Sequence, residues 1–276
     1  MTQNAARESY RQTVRRLAGA QKGAARSAPA YSRFVNRRLG RLLAAWAYRA
    51  GLSPNAVTGI SALFTFTGIV LLVVWPPSWG LGAAVSGCLL LGYAFDSADG
   101  QVARLTGTGS PAGEWLDHMV DAAKVSALPL ALAVGLHRFH VVDDVWLLVP
   151  LGGAVVAAVL FFGMILTEQL RRAHGVTSVA STTGRTPWLR SIVVVPTDYG
   201  LLCLSFLLFG APMVFLGLYT VITVATAAFL ALAAVKWYRE IRGLSPRLGR
   251  RSAEPGPDGH AHPAATGPGP APPAVG

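Results

Sequence analysis

Long apolar stretches separated by short polar or turn-forming segments run through most of the chain. No Asp, Glu, Lys, Arg or His occurs from Ala50 to Phe95, a run long enough for two bilayer crossings of roughly 20 residues each. Pro76 and Pro77 stand where a turn between the crossings is needed, because proline interrupts the helical hydrogen-bond ladder. The pattern predicts an all-α polytopic membrane protein with six transmembrane helices, over residues 55–75, 79–104, 113–136, 145–168, 190–209 and 212–236.

Polar segments flank these spans. Residues 1–30 are basic and predict a flexible N-terminus, whereas residues 31–51 mix apolar side chains with arginines, as an amphipathic helix in the membrane interface does. The spans form one domain over residues 52–243. Residues 244–276 are rich in Pro, Gly and Ala, a composition that predicts a disordered tail.

Composition and charge support a membrane protein. Hydrophobic residues make up 52% of the chain and charged residues only 13%, against about 25% charged in soluble domains. Residues 1–50 hold eleven Arg or Lys and one acid, a bias that predicts a cytoplasmic N-terminus and, with six spans, two cytoplasmic termini in the plasma membrane. This charge also attracts anionic membrane lipids. No aromatic-and-basic module is visible, so no nucleic-acid partner is expected.

Four aspartates lie beside the second and third spans. Residues three or four apart share one face of a helix, so the residues of interest fall on two stripes. The small residues of these stripes, with Gly92 one turn deeper, are expected to let the two helices approach closely. The four carboxylates then converge. The stripes consist of Asp96, Asp99, Gly100 and Ala103 on one helix, and Gly113, Asp117, Asp121 and Lys124 on the other. His118 follows Asp117 off the stripe and is interpreted as structural.

Four unneutralised carboxylates repel one another in a low dielectric, and divalent cations resolve this repulsion. An all-oxygen ligand set suits Mg²⁺ or Mn²⁺, and two such cations about 3.5–4 Å apart can clamp a phosphoryl displacement. Arg104, beside the loop TGTGSPAG, is placed to bind a phosphate. Three alternatives stay open: helix-capping acids neutralised by Arg104 and Lys124, an ion or proton pathway of a transporter, and a scaffold without catalysis.

Residues 96–121, DSADGQVARLTGTGSPAGEWLDHMVD, resemble the signature Asp-x2-Asp-Gly-x2-Ala-Arg-x8-Gly-x3-Asp-x3-Asp of the bacterial class I CDP-alcohol phosphotransferase family. The resemblance extends over roughly residues 52–240 and leaves out the N-terminal 30 residues and the tail. Every fixed position of the signature matches: Asp96, Asp99, Gly100, Ala103, Arg104, Gly113, Asp117 and Asp121.

The resemblance implies an enzyme of phospholipid biosynthesis. It implies transfer of a phosphatidyl or other phosphoalcohol group from CDP-diacylglycerol or another CDP-alcohol to the hydroxyl of a polyol or polyol phosphate, with release of CMP. By the same resemblance the four aspartates hold two divalent cations, Mg²⁺ or Mn²⁺, and Asp121 also takes the proton of the acceptor. A homodimer is expected, as in relatives. The implied donor-binding residues are Gly100, Ala103, Arg104, Ser110 and Gly113, with Asn55 and Thr58 of the stretch SPNAVT.

The sequence gives less information about the acceptor than about the donor. Basic residues after the fourth span are candidates for binding an acceptor phosphate, although they also satisfy the positive-inside rule. Relatives with phosphorylated acceptors often carry a basic residue directly after the last aspartate, and here that residue is Ala122. Asp198 either binds the acceptor or pairs with Arg190. The acceptor candidates are Lys124, Arg171, Arg172, Arg185, Arg190 and Asp198.

Overall fold

The structure, a computed structural model of the chain, describes residues 9–20, 31–176 and 198–244. Within these residues all regular secondary structure is helical, which confirms the predicted all-α fold. Single turns of other helix types precede α2 and α6 and follow α7, at Ser32–Asn36, Asp144–Leu147 and Phe206–Leu208. The α-helices of the described part are α1 (Tyr10–Ala20), α2 (Arg37–Arg49), α3 (Pro54–Val74), α4 (Trp79–Thr106), α5 (Pro111–Arg138), α6 (Leu148–Ala173), α7 (Tyr199–Ser205) and α8 (Pro212–Arg242).

In the described part of the chain, five helices are long and apolar enough to cross a bilayer: α3, α4, α5, α6 with its leading turn, and α8. Their outer faces expose large apolar side chains such as Leu63, Phe162 and Leu232, as helices surrounded by lipid do. The chain is therefore a multi-pass membrane protein, as predicted. The predicted span 190–209 is described only from residue 198, where α7 is a short apolar helix, so the count of six spans stays a prediction.

The turn between α4 and α5 sets how the two halves of the 96–121 stretch face each other. Gly107 ends α4 with a φ of 68°, in the left-handed region that glycine adopts readily. The Ser110 side chain caps α5 by accepting a hydrogen bond of 3.1 Å from the backbone N–H of Gly113. Helix α4 therefore ends at Thr106, two residues after its predicted end at 104. Helix α5 begins at Pro111, two residues before its predicted start at 113.

Helix α3 is the element against which both aspartate-bearing helices pack. A Cβ at Gly92 of α4 would collide with the Thr65 hydroxyl of α3, and a Cβ at Gly135 of α5 would collide with the Leu72 carbonyl. Helices α4 and α5 make little direct contact with each other. The expectation that small residues bring α4 against α5 is therefore wrong, because the close approach at Gly92 is to α3.

Replacement of Gly92 by alanine is expected to lower the melting temperature and the yield of folded protein. The added methyl group would meet the Thr65 hydroxyl and, at 3.1 Å, the Ser61 carbonyl, and such overpacking typically costs about 1–3 kcal/mol. Gly87→Ala on the same helix is the matched control, since a Cβ there meets nothing within 4 Å. Size-exclusion profiles and thermal melts compare the two variants. Equal stability of both would contradict the close approach of α3 and α4.

The amphipathic helix α2 packs against α4 with one face and exposes another. A Cβ at Gly40 would lie 2.7 Å from the Ser97 hydroxyl of α4, so glycine is needed for this contact. The opposite face exposes Leu39, Leu42 and Trp46. An exposed apolar stripe beside arginines is what an interfacial helix requires, and the location of residues 31–51 in the membrane interface stays a prediction.

Helix α1 lies within residues 1–30, for which the sequence predicts a flexible segment. Leu17 is buried in a cluster with Ala44 and Ala45 of α2, and the Tyr10 hydroxyl donates a 3.0 Å hydrogen bond to the Leu42 carbonyl. These contacts give residues 10–20 a packed position. The rest of the N-terminal segment and residues 245–276 of the tail lie outside the described residues, so their flexibility and disorder stay predictions.

Candidate active site

Lys124 connects three helices at the centre of the aspartate cluster. Its ammonium donates hydrogen bonds to Asp96 Oδ1 of α4 at 2.7 Å, to Asp121 Oδ1 of α5 at 3.1 Å, and to Ser61 Oγ of α3 at 3.1 Å. The Lys124 side chain is 7% exposed, so its charge depends on these two carboxylates rather than on water. The ammonium group of Lys124 thus joins the two predicted stripes, and α4 and α5 do not pack directly against each other there.

Asp99 is the one buried member of the four aspartates, at 6% exposed. Its Oδ2 accepts a 2.8 Å hydrogen bond from the hydroxyl of Thr58, and its Oδ1 accepts one from the backbone N–H of Gly100. Thr58 lies in the second turn of α3, one turn beyond the helix start at Pro54. Hydrogen bonds to an ionised acceptor are stronger than neutral ones, so Thr58 holds the Asp99 carboxylate in a fixed position against α3.

Asp117 carries a carboxylate oxygen, Oδ1, that is buried without a hydrogen-bond partner among the described residues. A buried oxygen of this kind is costly unless something binds it. Potential ligand atoms of Asp117, His118 and Asp121 all lie within 4.8 Å of one another. Carboxylate oxygens are the ligands that Mg²⁺ and Mn²⁺ prefer. The residues present therefore suit a divalent cation at this position.

His118 lies closer to the aspartates than the sequence indicates. A residue next to Asp117 is rotated by about 100° around the helix, which favours a position off the stripe. The imidazole nevertheless offers a nitrogen near the carboxylates of Asp117 and Asp121. It also lies 3.8 Å from Glu114 and packs edge-on against Phe161. The interpretation of His118 as structural is therefore incomplete.

Acidic side chains gather at one end of the described bundle. Arg172 of α6 pairs with Glu114 of α5 at 2.6 Å, and Arg171 pairs with Glu240 of α8 at 2.7 Å, which brings the ends of three helices together. The four aspartates lie at this same end. Among the described residues of α3, α4, α5, α6 and α8, every Asp and Glu lies here: Asp96, Asp99, Glu114, Asp117, Asp121, Glu168 and Glu240.

The N-terminal ends of α3 and α5 meet beside the aspartates. A Cβ at Gly113 would lie 3.2 Å from Asn55 Oδ1 and 3.3 Å from Ser110 Oγ, so three residues predicted to bind the donor are neighbours. Helix N-termini offer unpaired N–H groups and a partial positive charge, both of which favour phosphate. Two of them side by side suit a diphosphate group.

Arg104 extends this edge of the site. It is exposed in the last turn of α4 and folds back over Gly100, where a Cβ would lie 3.5 Å from Arg104 Nη1. Ala103, half-buried, lies next to Arg104 in the chain and one turn beyond Gly100. A residue larger than alanine at position 100 would displace the guanidinium. The small side chains at 100 and 103 therefore leave Arg104 free to approach an anion beside Asp99.

The sequence model of the CDP-alcohol phosphatidyltransferase family matches residues 52–233 of the chain. The chain belongs to this family. An uncharacterized CDP-alcohol phosphatidyltransferase class-I family protein of Schizosaccharomyces pombe is 37% identical to it over 83 residues. This match covers 27% of the chain and 21% of the relative, so it spans about a fifth of the relative's length.

Membership in the CDP-alcohol phosphatidyltransferase family implies transfer of a phosphatidyl-type group from a CDP-alcohol to an alcohol. The matched region runs from just before α3 into α8 and contains all four aspartates. The chain is thus a multi-pass membrane protein of this family, and its described aspartate cluster is the candidate active site.

Two of the arginines predicted to bind the acceptor are engaged in ion pairs. Arg171 donates two 2.7 Å hydrogen bonds to Glu240, and Arg172 donates one of 2.6 Å to Glu114. Arg185 and Arg190 lie outside the described residues, as does any pairing of Arg190 with Asp198. Both described arginines border the site but have carboxylate partners of their own.

Asp198 has a defined structural position at the start of α7. It is 4% exposed and caps α7, where its Oδ1 accepts a 3.1 Å hydrogen bond from the Gly200 N–H. Its Oδ2 accepts a 2.7 Å hydrogen bond from the Tyr31 N–H. Asp198 therefore ties the segment that leads into α2 to the start of α7.

Ser61 and Tyr199 are neighbours of the site that the sequence pattern does not indicate. Ser61 is fully buried, binds Lys124 and donates a 2.9 Å hydrogen bond to the Gly92 carbonyl. Tyr199 meets the ring of Tyr93 edge-on at 5.1 Å, three residues before Asp96 on α4. Each is a single polar residue in an apolar segment, and only the packing of α3 and α7 against α4 reveals its location.

Proposed function

We propose that this phosphatidyltransferase moves a phosphatidyl group from CDP-diacylglycerol to a hydroxyl of a polyol-type acceptor and releases CMP. The observation that carries the proposal is the convergence of Asp96, Asp99, Asp117 and Asp121 beside two helix N-termini, at the spacing of the family signature. The family match supports the reaction class. The choice of diacylglycerol in the donor and of a polyol as acceptor is the proposed part.

The four aspartates are proposed to hold two divalent cations, Mg²⁺ or Mn²⁺. The unsatisfied Oδ1 of Asp117 and its proximity to Asp121 support this assignment. When bound, such cations neutralise the negative charge of the diphosphate and of the departing CMP. Until then Lys124 provides the positive charge between Asp96 and Asp121.

The remaining steps of the proposed reaction are assigned to individual side chains. Asp121 takes the proton of the acceptor hydroxyl as that oxygen bonds to the phosphorus that carries diacylglycerol. The bond from this phosphorus to the oxygen shared with CMP breaks, and CMP leaves as an anion. Arg104, near Gly100, binds the anionic diphosphate through its guanidinium. Thr58 keeps Asp99 oriented.

The donor nucleotide is proposed to lie where α3 and α5 begin. Asn55, Ser110 and Gly113 are neighbours there, and Ala103 borders the same edge of the site. Unpaired N–H groups at the two helix N-termini provide hydrogen-bond donors for phosphate oxygens. An anionic ligand in this position also gains from the helix dipoles.

The enzyme is proposed to lie in the plasma membrane with both termini and the active site in the cytoplasm. Basic residues concentrate before α3 and at the α6 and α8 ends next to the aspartates, which is the distribution expected of cytoplasmic segments. A homodimer is proposed from the family resemblance. An ion or proton pathway has less support, because the acids of the described spanning helices cluster at one end instead of following the membrane depth.

The proposed function predicts CMP release that depends on three components. Purified protein in lipid nanodiscs, supplied with Mn²⁺ and CDP-diacylglycerol, should release CMP when glycerol, myo-inositol, glycerol 3-phosphate or myo-inositol 1-phosphate is added. CMP and the lipid product are quantified by chromatography and are expected in equal amounts. Omission of donor, acceptor or cation is expected to stop the reaction. Proton flux in proteoliposomes without CMP release would instead favour a transporter.

A further inference from the structure

A row of aromatic side chains lies beside the aspartates, where α7 meets α4 and the segment before α2. Tyr31 stacks on Tyr93 with ring centroids 6.3 Å apart, and Tyr93 meets Tyr199 edge-on at 5.1 Å. Asp198 fixes the row, since it binds the backbone of both Tyr31 and Gly200. Three separate parts of the chain are thus held together at this point.

Two buried polar atoms of this row lack a strong hydrogen-bond partner. The Tyr199 hydroxyl and the Asn36 side-chain oxygen Oδ1 have no hydrogen-bond partner among the described residues. The Asn36 amide nitrogen is used, because it donates a 3.1 Å hydrogen bond to the Tyr93 carbonyl. The Cys203 thiol contacts the Tyr199 hydroxyl, but a thiol is only a weak hydrogen-bonding group. Buried polar groups in proteins are nearly always satisfied, so these two atoms indicate a place for a ligand with hydroxyl groups.

The row meets α4 at Tyr93, three residues before Asp96, whereas the donor candidates on α4 follow Asp99. Tyr199 meets the Tyr93 ring edge-on, whereas the donor candidate Thr58 binds Asp99. An acceptor must bring its hydroxyl to Asp121 while the donor occupies the helix N-termini. A ligand that binds Tyr199 would lie on the Tyr93 side of the aspartates, whereas Gly100 and Arg104 of the donor region lie beyond them on α4.

We propose that Tyr199 and Asn36 form an acceptor subsite that binds uncharged hydroxyl groups of the polyol, an inference that rests on the proposed transfer reaction. A tyrosine hydroxyl can donate and accept a hydrogen bond, and an amide oxygen accepts one, which matches a polyol hydroxyl. The row has no cation among its described polar groups, which are those of Tyr31, Ser32, Asn36, Tyr93, Asp198, Tyr199 and Cys203. The subsite therefore recognises the hydroxyl-bearing part of the acceptor rather than a phosphate.

The test is Tyr199→Phe, which removes one hydroxyl and keeps the ring. The KM for the acceptor is expected to rise about tenfold, as loss of one hydrogen bond implies, whereas the KM for CDP-diacylglycerol changes less than about twofold. Tyr219→Phe is the matched control, since Tyr219 is also buried but packs on Phe215 with its hydroxyl beside Thr223. Kinetics with glycerol, myo-inositol and their monophosphates measure both constants.

The possible results distinguish a failure of the proposed subsite from a failure of the proposed function. An acceptor KM in Tyr199→Phe equal to that in Tyr219→Phe would overturn the subsite. Should the wild type release no CMP with any acceptor, the transfer proposal fails, and calorimetric titration of glycerol and myo-inositol then tests the subsite alone. Weaker binding by Tyr199→Phe supports it, and absent or equal binding overturns it. If Tyr199→Phe does not fold, Asn36→Leu provides the same comparison with the same expected rise in KM.

Discussion

Asp121→Asn is expected to abolish CMP release, by about 10³-fold or more, while the protein still inserts and folds. The amide cannot take the proton of the acceptor, and loss of a general base alone costs about 10²–10⁴-fold. The substitution also removes a carboxylate next to Asp117, in the group suited to a divalent cation. Folding should survive, because Lys124 keeps its 2.7 Å ion pair with Asp96.

The control for this prediction is Asp143→Asn. Asp143 is an exposed residue in the turn before α6, at the opposite end of the helices from the aspartate cluster, so its loss should leave CMP release unchanged. Size-exclusion profiles and melting temperatures establish that both variants fold. More than a tenth of wild-type activity in Asp121→Asn would show that this carboxylate is neither the base nor a required cation ligand.

The positions of the aspartates were predictable because they follow from local helix geometry. Residues three or four apart share a helical face whatever the tertiary fold, so Asp96 with Asp99 and Asp117 with Asp121 had to form stripes once α4 and α5 were helices. The 26-residue stretch also contains its own turn, which limits how far apart the stripes can lie. The convergence of the site could therefore be expected from the sequence.

The packing around the site could not be predicted in the same way. Gly92 was expected to face α5, but it packs on Thr65 of α3, a contact between residues 27 positions apart that no periodicity specifies. The positions of Ser61 and Tyr199 near the site were also not predictable, because they depend on which helix packs against the segment that contains each residue. Contacts of this kind depend on the complete arrangement of spans and not on any one segment.

The structure also bears on the alternative of helix-capping acids. The caps of α3, α4 and α5 are Ser53, Ser78 and Ser110, and none of the four aspartates caps a helix in the described residues. Lys124 does neutralise two of them, as that alternative requires, but Asp117 keeps an unsatisfied buried oxygen. Helix capping thus does not explain the buried Oδ1 of Asp117, whereas a bound divalent cation would give this oxygen a partner.

Lys124 and the proposed divalent cations are expected to neutralise the same carboxylates. Removal of either should therefore have a large effect, on activity or on stability. Removal of cations with EDTA should abolish CMP release by the wild type, and Mn²⁺ or Mg²⁺ should restore it. In Lys124→Met the carboxylates lose their only resident positive partner among the described residues within hydrogen-bond distance. The melting temperature of this variant in EDTA should therefore fall by roughly 5–15 °C relative to the wild type, since breaking a buried ion pair costs about 3–5 kcal/mol.

Divalent cations should rescue the stability of Lys124→Met more than that of the wild type. Without the lysine, the repulsion among Asp96, Asp117 and Asp121 is relieved only by a bound cation, and binding to the folded state raises the melting temperature by mass action. Lys236→Met is the control, because Lys236 is exposed in the last turns of α8 and its charge acts on Glu240 instead of holding Asp96 or Asp121. If Mn²⁺ leaves the melting temperature of Lys124→Met unchanged, the aspartates do not form a cation site, and loss of activity in EDTA must have another cause.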